Sequence, residues 1–214
     1  MTEPPVISVL DDDPSIRLSL ESLFASEGYD VRVFKSPQTF LAADRPDRAG
    51  CLVLDVRLRG SSGLSFQREL LRQGIAIPTI FITGHGDVPM SVAAMKAGAV
   101  EFLLKPYRDQ ELLDAVYKAV ELDRRWRADA AELAELRSRF ATLTQREREV
   151  MRLVVGGLLN KQTAARLQLS EVTVKAHRAQ IMHKLRAASL AGLVRIADRI
   201  AGDAGRDGTD NTFV

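Results

Sequence analysis

Hydrophobic and polar positions follow two different periods over the first half of the chain. Short apolar runs, typical of buried strands, are separated by stretches in which apolar side chains recur at helical spacing. The predicted strands are residues 6–10, 31–34, 51–54, 78–82 and 100–104. The predicted helices are residues 14–27, 36–44, 63–73 and 88–97, and a last helix that begins near 112. Because each strand is followed by a helix, the pattern predicts an α/β fold with a doubly wound, five-stranded parallel sheet.

Beyond residue 141 only helical patterns occur. Thr144 and Glu147 have the spacing of a capping box, and Gly156 ends the helix that they begin. The three further predicted helices are residues 160–167, 171–185 and 190–201. Residues 142–202 are therefore predicted to form an all-α domain of four helices.

The segment between these parts, 122–141, is rich in charged residues and contains neither Gly nor Pro. Apolar residues such as Trp126, Leu133 and Leu136 follow a heptad spacing, which predicts a helix. The run is too short to be typical of a coiled coil, so a linker helix packed on one of the domains is favoured over that alternative. The predicted parts are 1–121, 122–141, 142–202 and a polar, Gly-rich tail, 203–214, that is predicted to be disordered.

The formal net charge of +2 conceals an uneven distribution along the chain. Residues 1–120 carry 13 basic and 16 acidic side chains, and residues 121–139 carry five of each. Residues 140–202 carry 11 basic and four acidic side chains, whereas the tail carries one and three. A strongly basic domain beside an acidic one predicts that the last domain binds a polyanion.

Cysteine content and hydropathy restrict the cellular context. Cys51 is the single cysteine, which excludes a disulfide framework and a cysteine-based zinc site. No apolar run approaches the roughly 20 residues of a membrane span. The residues from Met1 to Pro5 lack the basic and apolar regions of a signal peptide. We therefore expect a cytoplasmic protein.

Functional side chains occur where the predicted strands end. An acidic run, Asp11–Asp13, follows the first strand, Asp55 the third, Thr83 the fourth and Lys105 the fifth. Ligands of open parallel sheets bind at this edge, so these groups are expected to meet. Neighbouring carboxylates suit a hard cation such as Mg²⁺, and a carboxylate can be a nucleophile toward phosphorus. Each residue alone has an ordinary structural interpretation, such as a helix N-cap, but their common position favours a site.

In these positions the chain resembles the receiver domain of two-component response regulators, over about residues 5–122, and the stretch 82–90 is similar to the FixJ branch. The resemblance implies that Asp55 accepts a phosphoryl group from a sensor histidine kinase, and that the protein is not an enzyme with catalytic residues of its own. It also implies a bound Mg²⁺ or Mn²⁺ ion. The implied metal ligands are Asp11, Asp12, Asp55 and the backbone carbonyl of Arg57. The implied phosphoryl-binding and switch residues are Thr83, Phe102 and Lys105.

The loop after Asp55 departs from the family's pattern. Relatives commonly carry Met-Pro at the third and fourth positions after the phosphoacceptor, where this chain has Leu58 and Arg59, followed by Gly60. We expect a looser and more basic loop. The lifetime of the phosphoryl group is expected to depend on this change. The identity of Asp55 as phosphoacceptor is not expected to depend on it.

The basic last domain has two helices at a short turn, the pattern of a helix-turn-helix. Its second helix, 171–185, is predicted to lie in the major groove of DNA. Val174 and Ile181 face inward, so the opposite positions are predicted to reach base edges. These positions are Lys175, Ala176, Ala179 and His183. Four further cations are predicted to contact phosphates, which position the protein without specifying sequence. These are Lys161, Arg178, Lys184 and Arg186.

Over about residues 140–202 the chain resembles the LuxR-type helix-turn-helix. The segments 143–150, 160–164 and 172–185 carry this resemblance. It implies that Thr173 also lies at the DNA, that the fourth helix makes the dimer contact on DNA, and that RNA polymerase is a partner. Relatives can carry Lys where this chain has Ala179, so one DNA contact of the family is expected to be missing.

These features together predict a response regulator transcription factor of the FixJ/NarL family. Phosphorylation of Asp55 is expected to remodel the face formed by the fourth helix, the fifth strand and the helix after it, so that a homodimer forms and binds DNA. One alternative is a phosphatase with Asp11 as nucleophile and Asp13 as its partner, which leaves the basic domain unexplained. The other is a DNA-binding protein whose affinity is independent of phosphorylation.

Overall fold

The structure, a computed structural model, describes residues 3–84 and 86–204. The chain divides into two compact units, with the division between Arg127 and Ala128. In the described ranges no helix is long and apolar enough to cross a membrane.

The first unit is built on a parallel sheet with helices between its strands. The strands of the unit are β1 (Val6–Leu10), β2 (Asp30–Phe34), β3 (Gly50–Asp55), β4 (Arg57–Leu58), β5 (Ser61–Ser62), β6 (Thr79–Thr83) and β7 (Glu101–Leu104). The helices are α1 (Pro14–Ser26), α2 (Pro37–Leu41), α3 (Gly63–Arg72), α4 (Val88–Lys96) and α5 (Asp109–Ala141). Five parallel strands pair in the order β2-β1-β3-β6-β7, which confirms the predicted doubly wound, five-stranded sheet.

The central strand β3 is buried along its whole length, which explains its uninterrupted apolar sequence. Alternate residues of the sheet enter two separate cores. Cys51 and Val53 lie in the core that includes residues of α1 and α5, whereas Leu52 and Leu54 lie in the core that includes residues of α2, α3 and α4. With both faces covered, the charged residues of β1 and β3 lie at or just beyond their carboxyl ends.

A short antiparallel hairpin, β4–β5, follows the central strand and was not predicted from the sequence. Each of its strands has two residues, too few to show any alternation of polar and apolar positions. Gly60 occupies its turn with a φ of +78°, in the left-handed region that favours glycine. The hairpin occupies the loop in which the sequence departs from the family's Met-Pro pattern.

The second unit is helical, as predicted. Its helices after α5 are α6 (Gln145–Val155), α7 (Asn160–Leu167), α8 (Glu171–Lys184) and α9 (Leu190–Ala204). The capping box at the start of α6 is present, because the Thr144 amide donates to the Glu147 carboxylate (2.7 Å) and the Glu147 amide donates to the Thr144 hydroxyl (3.2 Å). Val150, Ile181 and Leu193 are among the residues that form its hydrophobic core.

Helix α5 is continuous from Asp109 to Ala141, so the predicted linker segment, 122–141, is helical and joins the helix before it without a break. The division between the units falls inside that segment. In the predicted tail, residues 203 and 204 complete α9, and the remainder lies outside the described residues.

Candidate functional site

Three carboxylates meet at the carboxyl ends of β1 and β3. Asp11, Asp12 and Asp55 each have a carboxylate oxygen within 4.8 Å of the others. Asp11 and Asp55 are buried, with 2% and 6% of their surface exposed, and Asp12 is half-buried. Such a set of oxygen donors fits a hard divalent cation, because an unneutralised cluster of buried carboxylates repels itself.

Lys105 connects two of these carboxylates. Its Nζ atom donates to Asp11 Oδ2 at 2.9 Å and lies 3.4 Å from Asp55 Oδ1. Burial raises the pKa of the Asp55 carboxyl, and the Lys105 ammonium offsets part of that rise. For Lys105 itself, burial lowers the pKa, but the hydrogen bond to Asp11 and the two carboxylate charges raise it overall. The site therefore holds a positively charged lysine against a partly desolvated carboxylate.

Backbone hydrogen bonds hold this arrangement in place. The Asp13 amide donates to Asp11 Oδ1 (2.8 Å), and the Arg57 amide donates to Asp55 Oδ2 (3.0 Å). The Lys105 amide donates to the carbonyl of Thr83 (2.8 Å). Asp13 itself is exposed and caps α1 through the Ser15 amide (2.8 Å). Its carboxylate thus has the N-cap role that its sequence position suggested.

Thr83 and Phe102 lie on paired strands, β6 and β7. Thr83 is buried at the end of β6, and Phe102 is half-buried with its ring centroid 6.4 Å from that of Phe81. Gly86 lies close to two side chains of β7, because a Cβ atom there would lie 3.0 Å from Phe102 Cε1 and 2.5 Å from Leu104 Cδ2. This close approach was not predicted, because a lone loop glycine is its only signal in the sequence.

An exposed hydrophobic patch lies on α4 and β7 of the same unit. We call it the α4–β7 patch. Its members are Val88, Val92, Met95 and Leu104, of which between 45% and 75% of the surface is exposed. Val88, Val92 and Met95 share one face of α4 by their helical spacing, α4 packs on β7, and exposed apolar residues grouped in this way commonly mark an interaction surface.

In the second unit, α8 presents the predicted base-reading positions to solvent. Lys175, Ala176, Ala179 and His183 are exposed, and Thr173 is half-buried. Val172, at the start of the same helix, is 76% exposed and was not among the predicted DNA contacts. The exposed positions of α8 thus combine Lys175 and His183 with small and apolar side chains.

Two of the cations predicted to contact phosphates have partners inside the unit. Lys184 Nζ donates to Glu147 Oε2 at 2.7 Å and to the Thr142 carbonyl at 3.3 Å, and Arg178 is bonded to Asn160. Both side chains therefore have structural roles that were not predicted from the sequence. Lys161 and Arg186 are exposed, although Arg186 also lies 3.8 Å from Glu135.

Comparisons with known proteins agree with both halves of this description. Residues 7–117 match the family model of the response regulator receiver domain, and residues 141–197 match that of bacterial regulatory proteins of the luxR family. Nodulation protein W of Bradyrhizobium diazoefficiens is 54% identical over 91% of this chain and 86% of that protein. The transcriptional regulatory protein FixJ of Rhizobium meliloti is 43% identical over 93% of this chain and 97% of that protein.

Solved structures give the same result. The response regulator StyR matches with a TM-score of 0.80 and 46% identity, over 92% of this chain and 99% of that one. Full-length FixJ from B. japonicum matches with a TM-score of 0.56 and 39% identity, over 93% of this chain and 98% of that one. The matched family consists of regulatory proteins and not of classical enzymes, which argues against the phosphatase alternative. The chain belongs to the FixJ/NarL-type response regulators of two-component systems, in which a receiver domain is joined to a LuxR-type DNA-binding domain.

Proposed function

We propose that a partner histidine kinase phosphorylates Asp55, and that the phosphorylated chain dimerises and binds specific DNA sequences. The observation that carries this proposal is the position of the Asp55 carboxylate, which ends the central strand among Asp11, Asp12 and Lys105. In the proposed reaction an Asp55 oxygen attacks phosphorus, the bond from phosphorus to the donor breaks, and an aspartyl phosphate forms.

The residues around Asp55 suit this reaction. Asp11, Asp12, Asp55 and the Arg57 carbonyl are the proposed ligands of a Mg²⁺ or Mn²⁺ ion, which supplies neutralisation of the phosphoryl charge when bound. Lys105 already donates to the carboxylates of the cluster, and we propose that its ammonium pairs with the phosphoryl group. Thr83 is the proposed hydrogen-bond donor to a phosphoryl oxygen, and Phe102 the aromatic residue whose rearrangement follows.

We propose the α4–β7 patch as the dimer surface of the phosphorylated receiver. It lies next to Phe102 on β7, so a rearrangement of that ring reaches it directly. Replacing Leu104 by Glu is expected to weaken dimerisation on the order of tenfold or more, because dimer formation would bury an unpaired charge. Sedimentation of the acetyl-phosphate-treated chain measures this effect.

Leu71 provides a matched control for this prediction. It lies on α3 and has the same exposed fraction as Leu104, 52%. Leu71→Glu is expected to dimerise like the unmodified chain. Equal dimerisation of the Leu104→Glu and Leu71→Glu variants would show that the α4–β7 patch is not the interface.

For DNA, we propose that α8 enters the major groove and that its exposed residues read the bases. Thr173, Lys175, Ala176, Ala179 and His183 are the proposed contacts, with Lys161 and Arg186 on phosphates. Lys184 and Arg178 contribute to DNA binding, in this proposal, mainly indirectly: their hydrogen bonds to Glu147 and Asn160 hold α8 in place. The dimer contact on DNA is assigned to α9.

Replacing Lys175 by Ala is expected to lower operator affinity by about 1–3 kcal/mol, the range for a lost base contact. The effect is measured by titrating the phosphorylated chain with labelled operator at fixed salt. Arg68→Ala removes one positive charge from an exposed position on α3 and serves as the control. A similar loss of affinity in both variants would argue that Lys175 contributes only through net charge.

The experiment that tests the proposed function as a whole is selection of genomic DNA fragments with and without phosphorylation of the full chain. We expect a common sequence to be enriched strongly only after phosphorylation. Equal enrichment in both states would support the alternative of phosphate-independent DNA binding. Because the proposed DNA target and RNA polymerase lie in the bacterial cytoplasm, we propose that the protein acts there.

We also propose functional boundaries for the chain: a receiver at 1–121, a linker helix at 122–141, a DNA-binding domain at 142–202 and a tail at 203–214. The continuous α5 helix is the element that supports the assignment of the linker as helical.

A further inference from the structure

The hairpin after Asp55 brings a cation to the acidic cluster. Arg59, at the turn between β4 and β5, donates from Nε to Asp12 Oδ2 at 2.9 Å. The Arg59 side chain is 86% exposed and the Asp12 side chain 23% exposed. Lys105 pairs with Asp11 and Asp55, and within the described residues it is not seen to contact Asp12. Arg59 therefore reaches the third carboxylate of the cluster.

This contact follows from the chain's departure from its family. The family commonly has proline at the position of Arg59, and proline has neither a charge nor a side-chain donor. With arginine there, the three carboxylates face two cations of the chain itself, Lys105 on Asp11 and Asp55 and Arg59 on Asp12. The metal-free cluster is thus more nearly neutral than three carboxylates beside one lysine.

The same Asp12 carboxylate is a proposed ligand of the divalent cation. The Arg59 guanidinium occupies one lone-pair direction of Asp12 Oδ2 and places a positive charge beside the cluster, so it opposes the binding of a second cation at that carboxylate. We infer that Arg59 is an intramolecular competitor of the divalent cation at Asp12, and that it lowers the cation affinity of the unphosphorylated chain. This inference rests on the proposed metal site.

The expected size of the effect is modest because the ion pair is exposed. An exposed ion pair of this kind changes an equilibrium by about two- to fivefold. Arg59→Gln is therefore expected to lower the dissociation constant for Mn²⁺ by about that factor. Arg59→Lys keeps the charge without the planar guanidinium and is expected to show a smaller gain.

The test is a titration of the full, unphosphorylated chain with Mn²⁺ alone, in which electron paramagnetic resonance measures the free ion. Arg68→Gln, which removes one exposed positive charge from α3, is the control and is expected to leave the affinity unchanged. A dissociation constant for Arg59→Gln that equals or exceeds that of the unmodified chain would overturn the inference.

A double-mutant cycle separates competition for Asp12 from a general effect of charge. If Arg59 acts through Asp12, Arg59→Gln gains affinity in the unmodified chain and gains nothing in an Asp12→Asn background. An equal gain in both backgrounds contradicts the inference, since it indicates a long-range field. The proposed metal site fails separately, if Asp12→Asn and Asp55→Asn both bind Mn²⁺ as the unmodified chain does.

Discussion

Replacing Asp55 by Asn is expected to abolish labelling of the chain by acetyl phosphate and to remove phosphorylation-dependent DNA binding. The amide of Asn has nearly the shape of the carboxylate but is not a nucleophile toward phosphorus. Labelling is followed by intact-protein mass spectrometry, and operator binding by titration with and without the phosphodonor. Because burial raises the pKa of Asp55, replacing this partly desolvated carboxylate by a neutral group is not expected to destabilise the fold.

Asp114→Asn is the matched control, because this aspartate is exposed on α5 and accepts a hydrogen bond from Gln110 at 2.8 Å. It is expected to be labelled like the unmodified chain. Labelling of the Asp55→Asn variant at the level of Asp114→Asn would assign the phosphoacceptor to another residue.

Replacing Lys184 by Met is expected to destabilise the DNA-binding unit by up to about 3 kcal/mol, toward the lower end for a broken buried ion pair. Glu147 has 6% of its side chain exposed, and Lys184, at 27%, is its ionic partner. Removing the lysine leaves a buried carboxylate with the Thr144 amide but without an opposite charge. Hydrogen exchange of the amides of α6 and α8 in the full chain measures the loss.

The pH dependence of this loss has a definite sign. Burial raises the pKa of Glu147, but the Lys184 ammonium and the Thr144 amide together lower it below the ordinary value of 4.5. A carboxyl with a lowered pKa contributes stability that is fully present above 4.5 and is lost as the pH falls through the folded-state pKa. Protection of α6 and α8 is therefore expected to fall in acid for the unmodified chain, and to fall less steeply for Lys184→Met.

Lys161→Met removes the same charge from an exposed position on α7 and is expected to keep normal protection and the normal pH profile. If both lysine variants lose protection to the same extent, the ion pair with Glu147 does not stabilise the unit.

Much of the fold could be predicted because the three central strands, β1, β3 and β6, are buried on both faces. A strand such as β3 needs an unbroken apolar run, and that run is visible without any structure. Asp55 and Lys105 could be placed at one edge of the sheet, because parallel strands have their carboxyl ends at the same edge. The hairpin β4–β5 could not be predicted, because its pairing depends on a turn and not on a repeated pattern.

Side-chain partners distant in sequence were the other failure of prediction. Helical spacing places Lys184 at the border of the buried face of α8, and its long side chain reaches Glu147 on α6. The contact of Arg59 with Asp12 joins positions 47 residues apart and has no local signature. Spacing within one helix predicts which face a residue lies on. The partner of a long, flexible cationic side chain depends on the neighbouring elements.

The buried thiol of Cys51 is a built-in chemical probe for opening of the receiver. This thiol is fully buried in β3, and burial raises its pKa, so it reacts with a thiol reagent only when the sheet opens. Because the chain has a single cysteine, the reaction does not report opening of the DNA-binding unit. The rate of modification therefore times the opening of one unit in the intact, unlabelled chain.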